Sequence, residues 1–255
     1  MEFQTNKNLV LAFYNRVIRD REIEAIDELV SDHYIQHSTM GKDGKAGLIE
    51  AIQYLKTFPK PVETKSPIVT IIEDRNLVMA FLDLDWMGKK MAVIDIFRVS
   101  GGKICEHWDV IQEQPVDLPI GAESTMVNGG SALTDFDKTD ENKSIISNFY
   151  QSTFIGKNIA MVNDFLSERI VNHLSECLLE KKNFIRYLSE FNLKFGDFFK
   201  VLGQGNYVGV QSIGKKGEKP FVFNFIFRLE NKKITEIWGV SQEVPDQMPH
   251  QNGMI

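Results

Sequence analysis

The sequence predicts an α+β fold built twice. Three observations carry this: helical periodicity at the start of each half, a run of strand patterns after it, and motifs that recur about 130 residues apart. Helices followed by consecutive strands, rather than alternating with them, imply helices packed on one face of an antiparallel sheet.

In residues 7–19, Leu9, Val10, Phe13, Tyr14, Val17 and Ile18 fall at helical spacing. Ile23, Ile26, Leu29 and Val30 mark a second, shorter helix. The period then changes, and Ser31 through His37 reads as extended chain before the Gly41-Lys42-Asp43-Gly44 loop. A third helix over residues 45–57 aligns Leu48, Ile52 and Leu55 and stops before Pro59 and Pro61. Four strands follow, Ile68 to Glu73, Leu77 to Trp86, Lys90 to Val99 and Lys103 to Glu113, separated by turn residues.

Residues 117–139, with Pro119, Gly121, Gly129 and Gly130, read as a linker. The pattern then returns. Ile145 through Tyr150 matches Val10 through Tyr14, Ile170-Val171-Asn172-His173 matches Tyr34-Ile35-Gln36-His37, and Phe227 through Trp238 matches Phe97 through Trp108. The predicted organisation is a domain at 1–116, a linker at 117–139 and a second domain at 140–255.

Composition excludes several function classes. A net charge of −6 without a basic stripe argues against nucleic acid as a partner. No apolar run approaches the ~20 residues of a membrane span, and the start of the chain lacks a basic-then-apolar leader. Cys105 and Cys177 form no metal or disulfide pattern and read as buried, reduced thiols in a cytoplasmic protein. Gly203-Gln204-Gly205 leads into a strand pattern, which argues against a phosphate loop, and the Asn142 sequon reads as noise.

Candidate chemistry lies in the hairpin from Ile94 to Gln112, where Asp95, His107 and Asp109 interrupt apolar strands at a cost unless they are bonded or used. A three-residue loop, Ser100-Gly101-Gly102 with Gly102 left-handed, would set Asp95 against His107 and Val93 against Asp109. All three polar groups would then share one face. The opposite face carries Ile94, Ile96, Arg98, Glu106 and Trp108; its apolar members imply a cover, and Arg98 and Glu106 can pair diagonally.

At this hairpin, and at Tyr34-Ile35-Gln36-His37, the first domain resembles the SnoaL-like polyketide cyclase group of the NTF2-like superfamily. Asp95-Ile96-Phe97-Arg98, Gly102-Lys103-Ile104 and Glu106-His107-Trp108-Asp109 carry the likeness. The resemblance implies two cone-shaped barrels, each a bent sheet around three helices, paired within the chain or as a homodimer. It also implies cofactor-independent acid/base chemistry on a small carbonyl compound, of aldol, cyclase or isomerase type. Phe81 stands where many relatives place a histidine. In the second domain Phe225, Ile237 and Gly239 replace Asp95, His107 and Asp109, so that copy is expected to have lost the chemistry and kept the fold.

The expected catalytic residues are thus Asp95, His107 and Asp109, with His37 as a donor to a substrate carbonyl. Tyr34, Phe81 and Tyr54 are candidate pocket-lining residues. The bland readings stand beside these: Asp95 and His107 as a register-fixing pair, Asp109 as a solvated strand end, His37 as a structural residue because His173 persists, and the tyrosines and tryptophans as packing. His37, His107 and a carboxylate would make a metal set, but no local spacing fixes it, so no metal or cofactor is expected. The alternative function is a non-catalytic module binding a small apolar ligand or a protein.

Overall fold

The computed structural model describes residues 5–60, 66–117, 124–175 and 193–255. Cys177, Pro119 and Gly121 lie outside the described residues. Helix α1 (Asn6–Ala12), capped by the Thr5 hydroxyl, continues as a π-helical stretch over Phe13–Arg19. It buries the predicted stripe of Leu9, Val10, Phe13 and Val17. Then follow α2 (Glu24–Leu29), β1 (Val30–Gln36), α3 (Gly44–Leu55), β2 (Ile68–Asp74), β3 (Leu77–Trp86), β4 (Lys89–Ser100) and β5 (Lys103–Glu113). The second half repeats the order with α4 (Thr139–Phe149), α5 (Val162–Phe165) and β6 (Leu166–Asn172). Four further strands follow, β7 (Leu193–Gln204), β8 (Tyr207–Lys216), β9 (Lys219–Glu230) and β10 (Lys233–Glu243). Helix α4 also widens into a π-helical stretch, Tyr150–Ile155. Both repeats share this rare feature, so it belongs to the fold and not to one site.

The fold is α+β with two five-stranded mixed sheets of the same order, β1-β5-β4-β3-β2 and β6-β10-β9-β8-β7. β1 pairs parallel to β5 and β6 parallel to β10, whereas β7 to β10 pair antiparallel. The linear strand order leaves each sheet open, and each is mixed where an antiparallel sheet was expected, because β1 and β6 join parallel to their neighbours.

The hairpin differs from expectation in an instructive way. Its loop is two residues, Gly101-Gly102, with both φ angles positive (58° and 72°), where three were predicted. A two-residue loop alone would put Asp95 and His107 on opposite faces. In the second repeat the β9–β10 ladder slips by one residue between Ile234 and Glu236, so that Ile237 opposes Phe227 and Gly239 opposes Phe225. Thr235 Oγ1 donates to Arg228 O at that slip, and Cys105 Sγ donates to Arg98 O at the matching point of the first repeat. The His107 ring accordingly stacks on Phe97, 4.6 Å between centroids. A bulge therefore restores the face that the short loop would have reversed. Asp95 and His107 meet diagonally and not directly.

The chain forms two compact units whose boundaries do not follow the repeats. One comprises residues 1–80, 95–109 and 245–255, the other 81–94 and 110–244. Within the second unit, the part of the expected linker from residue 124 onward is bonded to the strands beside it. Met126 is buried, and Gly130 N, Ser131 N and Thr134 N donate to Glu236 Oε1, Tyr207 OH and Asn206 Oδ1. Gly129 and Gly130 both have φ of 85°, and a Cβ on Gly129 would collide with Glu236 Oε1, so only glycine permits this approach. The same unit holds a reciprocal pair of bonds between equivalent residues, Ile111 N to Gln242 Oε1 and Ser241 N to Gln112 Oε1, both 2.9 Å.

Candidate active site

Adjacent strands β4 and β5 bring Asp95, His107 and Asp109 together, with one ligand atom from each within 4.8 Å of the others. Asp95 Oδ1 lies 3.5 Å from His107 Nε2, an ion-pair distance longer than a well-formed hydrogen bond. Its Oδ2 accepts from the Tyr14 hydroxyl at 2.5 Å. The Ser38 hydroxyl bonds the Asp109 carboxylate, whose Oδ1 has no partner among the described residues although Asp109 is only 7% exposed.

Gln36 fixes the imidazole. Its Oε1 faces His37 N and Ser38 N, both at 3.0 Å. Backbone N–H groups can only donate, so this atom must be the amide oxygen and not the nitrogen. His107 Nδ1, 2.9 Å from the same oxygen, must therefore carry a proton. Neutral His107 then presents a bare Nε2 to the two carboxylates, and charged His107 presents an Nε2–H. The amide nitrogen of Gln36 donates to Tyr34 OH at 3.0 Å, completing the chain.

Burial pulls the His107 pKa down, but the Asp95 contact and the Asp95 and Asp109 charges outweigh it and hold the imidazole above its ordinary value. Burial pushes the Asp109 carboxyl up, and like charge on Asp95 adds to this, against the opposing pull of His107. Burial, then the same carboxylates, raise the Tyr14 and Tyr34 hydroxyls well above 10.0. The phenols stay neutral donors. One imidazole thus lies beside two buried carboxylates, a set of groups between which a proton can be exchanged.

His37 is not part of it. His37 Nδ1 bonds Gly253 O at 2.9 Å and Nε2 bonds Glu106 Oε1 at 3.0 Å, while the ring stacks on Trp108 at 4.9 Å. Both nitrogens are engaged by oxygen partners. Arg98 Nε bonds the other Glu106 oxygen at 2.7 Å, the pairing the sequence predicted, although the bulge sets the matching Glu236 and Arg228 directly opposite each other and not diagonally. The second repeat has the same network. His173 bonds Thr125 O and Glu236, stacks on Trp238 at 5.0 Å, and Arg228 completes it. The network recurs in both repeats, which favours the structural one of the two readings the sequence offered for His37.

Of the predicted lining residues, Tyr34 is buried and joined to the cluster through Gln36. Tyr54 is 59% exposed and packs edge-on against Phe58, away from that role. Phe81 is fully buried within β3. Cys105 is a free thiol only partly buried, contrary to expectation, while Asn142 is buried on Gly205 O, which removes its sequon from consideration. Tyr14 and Gln36 were missed. Strand alternation carried the signal for Gln36, because Tyr34 and Gln36 must face one way and Ile35 and His37 the other.

The second repeat fills the equivalent space with hydrocarbon. Phe225 and Ile237 are buried among Phe149, Phe154, Phe195, Phe223 and Phe227. A Cβ on Gly239 would come within 2.4 Å of Leu174 and 2.7 Å of Phe225, so a side chain where Asp109 stands in the first repeat would require those two to move. Tyr150, the counterpart of Tyr14, bonds the Ser212 hydroxyl instead of a carboxylate.

Comparison with known proteins places the likeness in the first repeat. Residues 10–107 match the family model described as a SnoaL-like domain. A proposed ketosteroid isomerase from Kribbella flavida is similar at 14% identity, covering 46% of this chain and 90% of its own, with a TM-score of 0.39. An LEH-like epoxide hydrolase of M. tuberculosis gives 13%, 41%, 85% and 0.36 in the same order. A SnoaL-like polyketide cyclase of Agrobacterium tumefaciens gives 13%, 40%, 91% and 0.34. No curated protein matches the chain. Over residues 10–107 the first repeat is thus similar to the SnoaL-like domain family.

Proposed function

We propose that the first repeat is a cofactor-independent acid/base site acting on a small carbonyl compound, in an aldol, cyclase or isomerase reaction. The observation that carries this reading is Asp109, a buried carboxyl with one oxygen unpartnered among the described residues, held beside an oriented imidazole. Asp109 takes the proton from the carbon next to the carbonyl. His107 Nε2–H, its Nδ1 anchored on Gln36, donates to the developing enolate oxygen, and Asp95, held by Tyr14, steadies the imidazolium. The second repeat is the structural partner, with repeats at 1–116 and 140–255.

We further propose that the tandem chain supplies internally the pair that single domains form as dimers. The reciprocal Gln112 and Gln242 bonds support this, since an isologous contact requires each residue to meet its own equivalent's neighbour.

The test is exchange of α-protons for deuterium in a panel of small ketones and β-diketones, followed by proton NMR. The proposal expects exchange above the buffer rate, lost in Asp109→Asn and His107→Ala. Ligand-induced shifts without exchange would mark a binding module instead, and exchange unchanged in both variants would reject the assigned site.

A further inference from the structure

Residues 250–253 grip the stretch that orients the candidate catalytic groups. His250 Nε2 meets Ser38 O at 2.9 Å, Asn252 Nδ2 donates to Gln36 O at 2.9 Å, and Gly253 O meets His37 Nδ1 at 2.9 Å. Asn252 also bonds the Asp43 carboxylate, which in turn accepts from Gln36 N at 2.9 Å. The gripped residues are the ones whose side chains reach the cluster, Gln36 to His107 and Ser38 to Asp109.

The second unit shows which part of this grip is scaffold. There Thr125 O meets His173 Nδ1 as Gly253 O meets His37, and Met126 is buried as Met254 is. Aligned on that shared clasp, Ser124 stands where Asn252 does. The clasp recurs where no imidazole needs orienting, because Ile237 replaces His107. Among the described residues, the long Asn252 side chain beside the polar cluster has only the short Ser124 as its counterpart.

We propose that His250 and Asn252 are positioning residues for the first repeat's site, setting the Gln36–Ser38 backbone so that Gln36 locks His107 with its proton on Nδ1. This rests on the acid/base reading for its purpose but not for its test. In this account the tail of the degenerate second repeat has a direct role in the site of the first.

The experiment is nitrogen-15 NMR of the His107 ring in the full chain, comparing wild type with the His250→Ala/Asn252→Ala double variant. His250→Gln, which retains a side-chain N–H donor, serves as the conservative control. At a pH where the ring is neutral, wild type should show a single Nδ1–H tautomer. The double variant should show a tautomer mixture and exchange the His107 ring proton about tenfold faster, as local opening becomes easier. His250→Gln should restore most of the wild-type behaviour. Thermal melting establishes that the double variant is folded; should it unfold, Asn252→Ala alone is read in the same way. An unchanged tautomer and exchange rate in a folded variant would overturn the positioning role and leave the ketone exchange test untouched. A loosened His107 in a chain that exchanges no ketone protons would support positioning and remove only the catalytic reading.

Discussion

The inner faces of the two repeats have the same strands in the same order and opposite chemistry. Asp95, His107 and Asp109 line one, while Phe225, Ile237 and the bare backbone of Gly239 occupy the matching places in the other. On the outer faces the repeats agree, with a stacked His–Trp pair and a Glu bonded to both His and Arg in each. A polar network present in both copies is part of the fold. One present in a single copy is a candidate for chemistry, since the other copy folds without it.

Crossing the two inner faces gives the largest effect. Phe225→Asp places a carboxylate among stacked phenyl rings with no partner, and should destabilise the chain by about 4 kcal/mol or more in urea unfolding. The outer networks differ by burial, with Glu236 at 5% side-chain exposure and Glu106 at 18%. Glu236→Gln should therefore cost ~3 kcal/mol and Glu106→Gln nearer ~1 kcal/mol, because the less exposed network leaves the worse unpaired charges behind. Burial alone would raise the Glu236 pKa, but His173, Arg228 and Gly130 N–H together hold it below the usual range. That contribution is complete above the unfolded carboxylate value and is lost as pH falls through the lower folded one, so acid unfolding should lose its Glu236 component in Glu236→Gln.

Asp109 has the opposite sign. Its folded pKa is raised, so stability falls as pH climbs from the unfolded value through the folded one. Asp109→Asn should raise stability at neutral pH by about 1 kcal/mol while abolishing exchange activity, the trade expected of a functional group held at a cost. The smallest effect concerns the turns. Asn231 and Lys232 take positive φ where the first repeat has Gly101 and Gly102, so Lys232→Gly should stabilise by ~0.5 kcal/mol in thermal melting.

Much of this was legible in the sequence because periodicity and repetition are local signals. The helix over residues 7–19, the four strands of the first sheet and the repeat itself need only side-chain spacing. The hairpin shows where such reasoning runs out. The prediction that Asp95, His107 and Asp109 share a face was correct, but it assumed a three-residue loop. The chain reaches that face through a two-residue loop and a bulge, whose two departures cancel. His37 shares the strand parity of Ile35, opposed to Gln36, and sits in the network that His173 repeats. The role of residues 250–253 was invisible for a different reason: His250 and Asn252 reach Ser38 and Gln36 across more than 200 residues of sequence, and no spacing rule connects them.

The central claim is that the first repeat alone holds a proton poised between a buried carboxyl and an oriented imidazole. Carbon-13 NMR titration of the Asp109 carboxyl, followed alongside the His107 ring, tests it most directly. The account predicts an Asp109 transition above the ordinary aspartate range and a His107 transition above its own, with His107 moving down in Asp109→Asn as a neighbouring negative charge is removed. An Asp109 that titrates as an ordinary exposed aspartate, with His107 indifferent to its replacement, would contradict it.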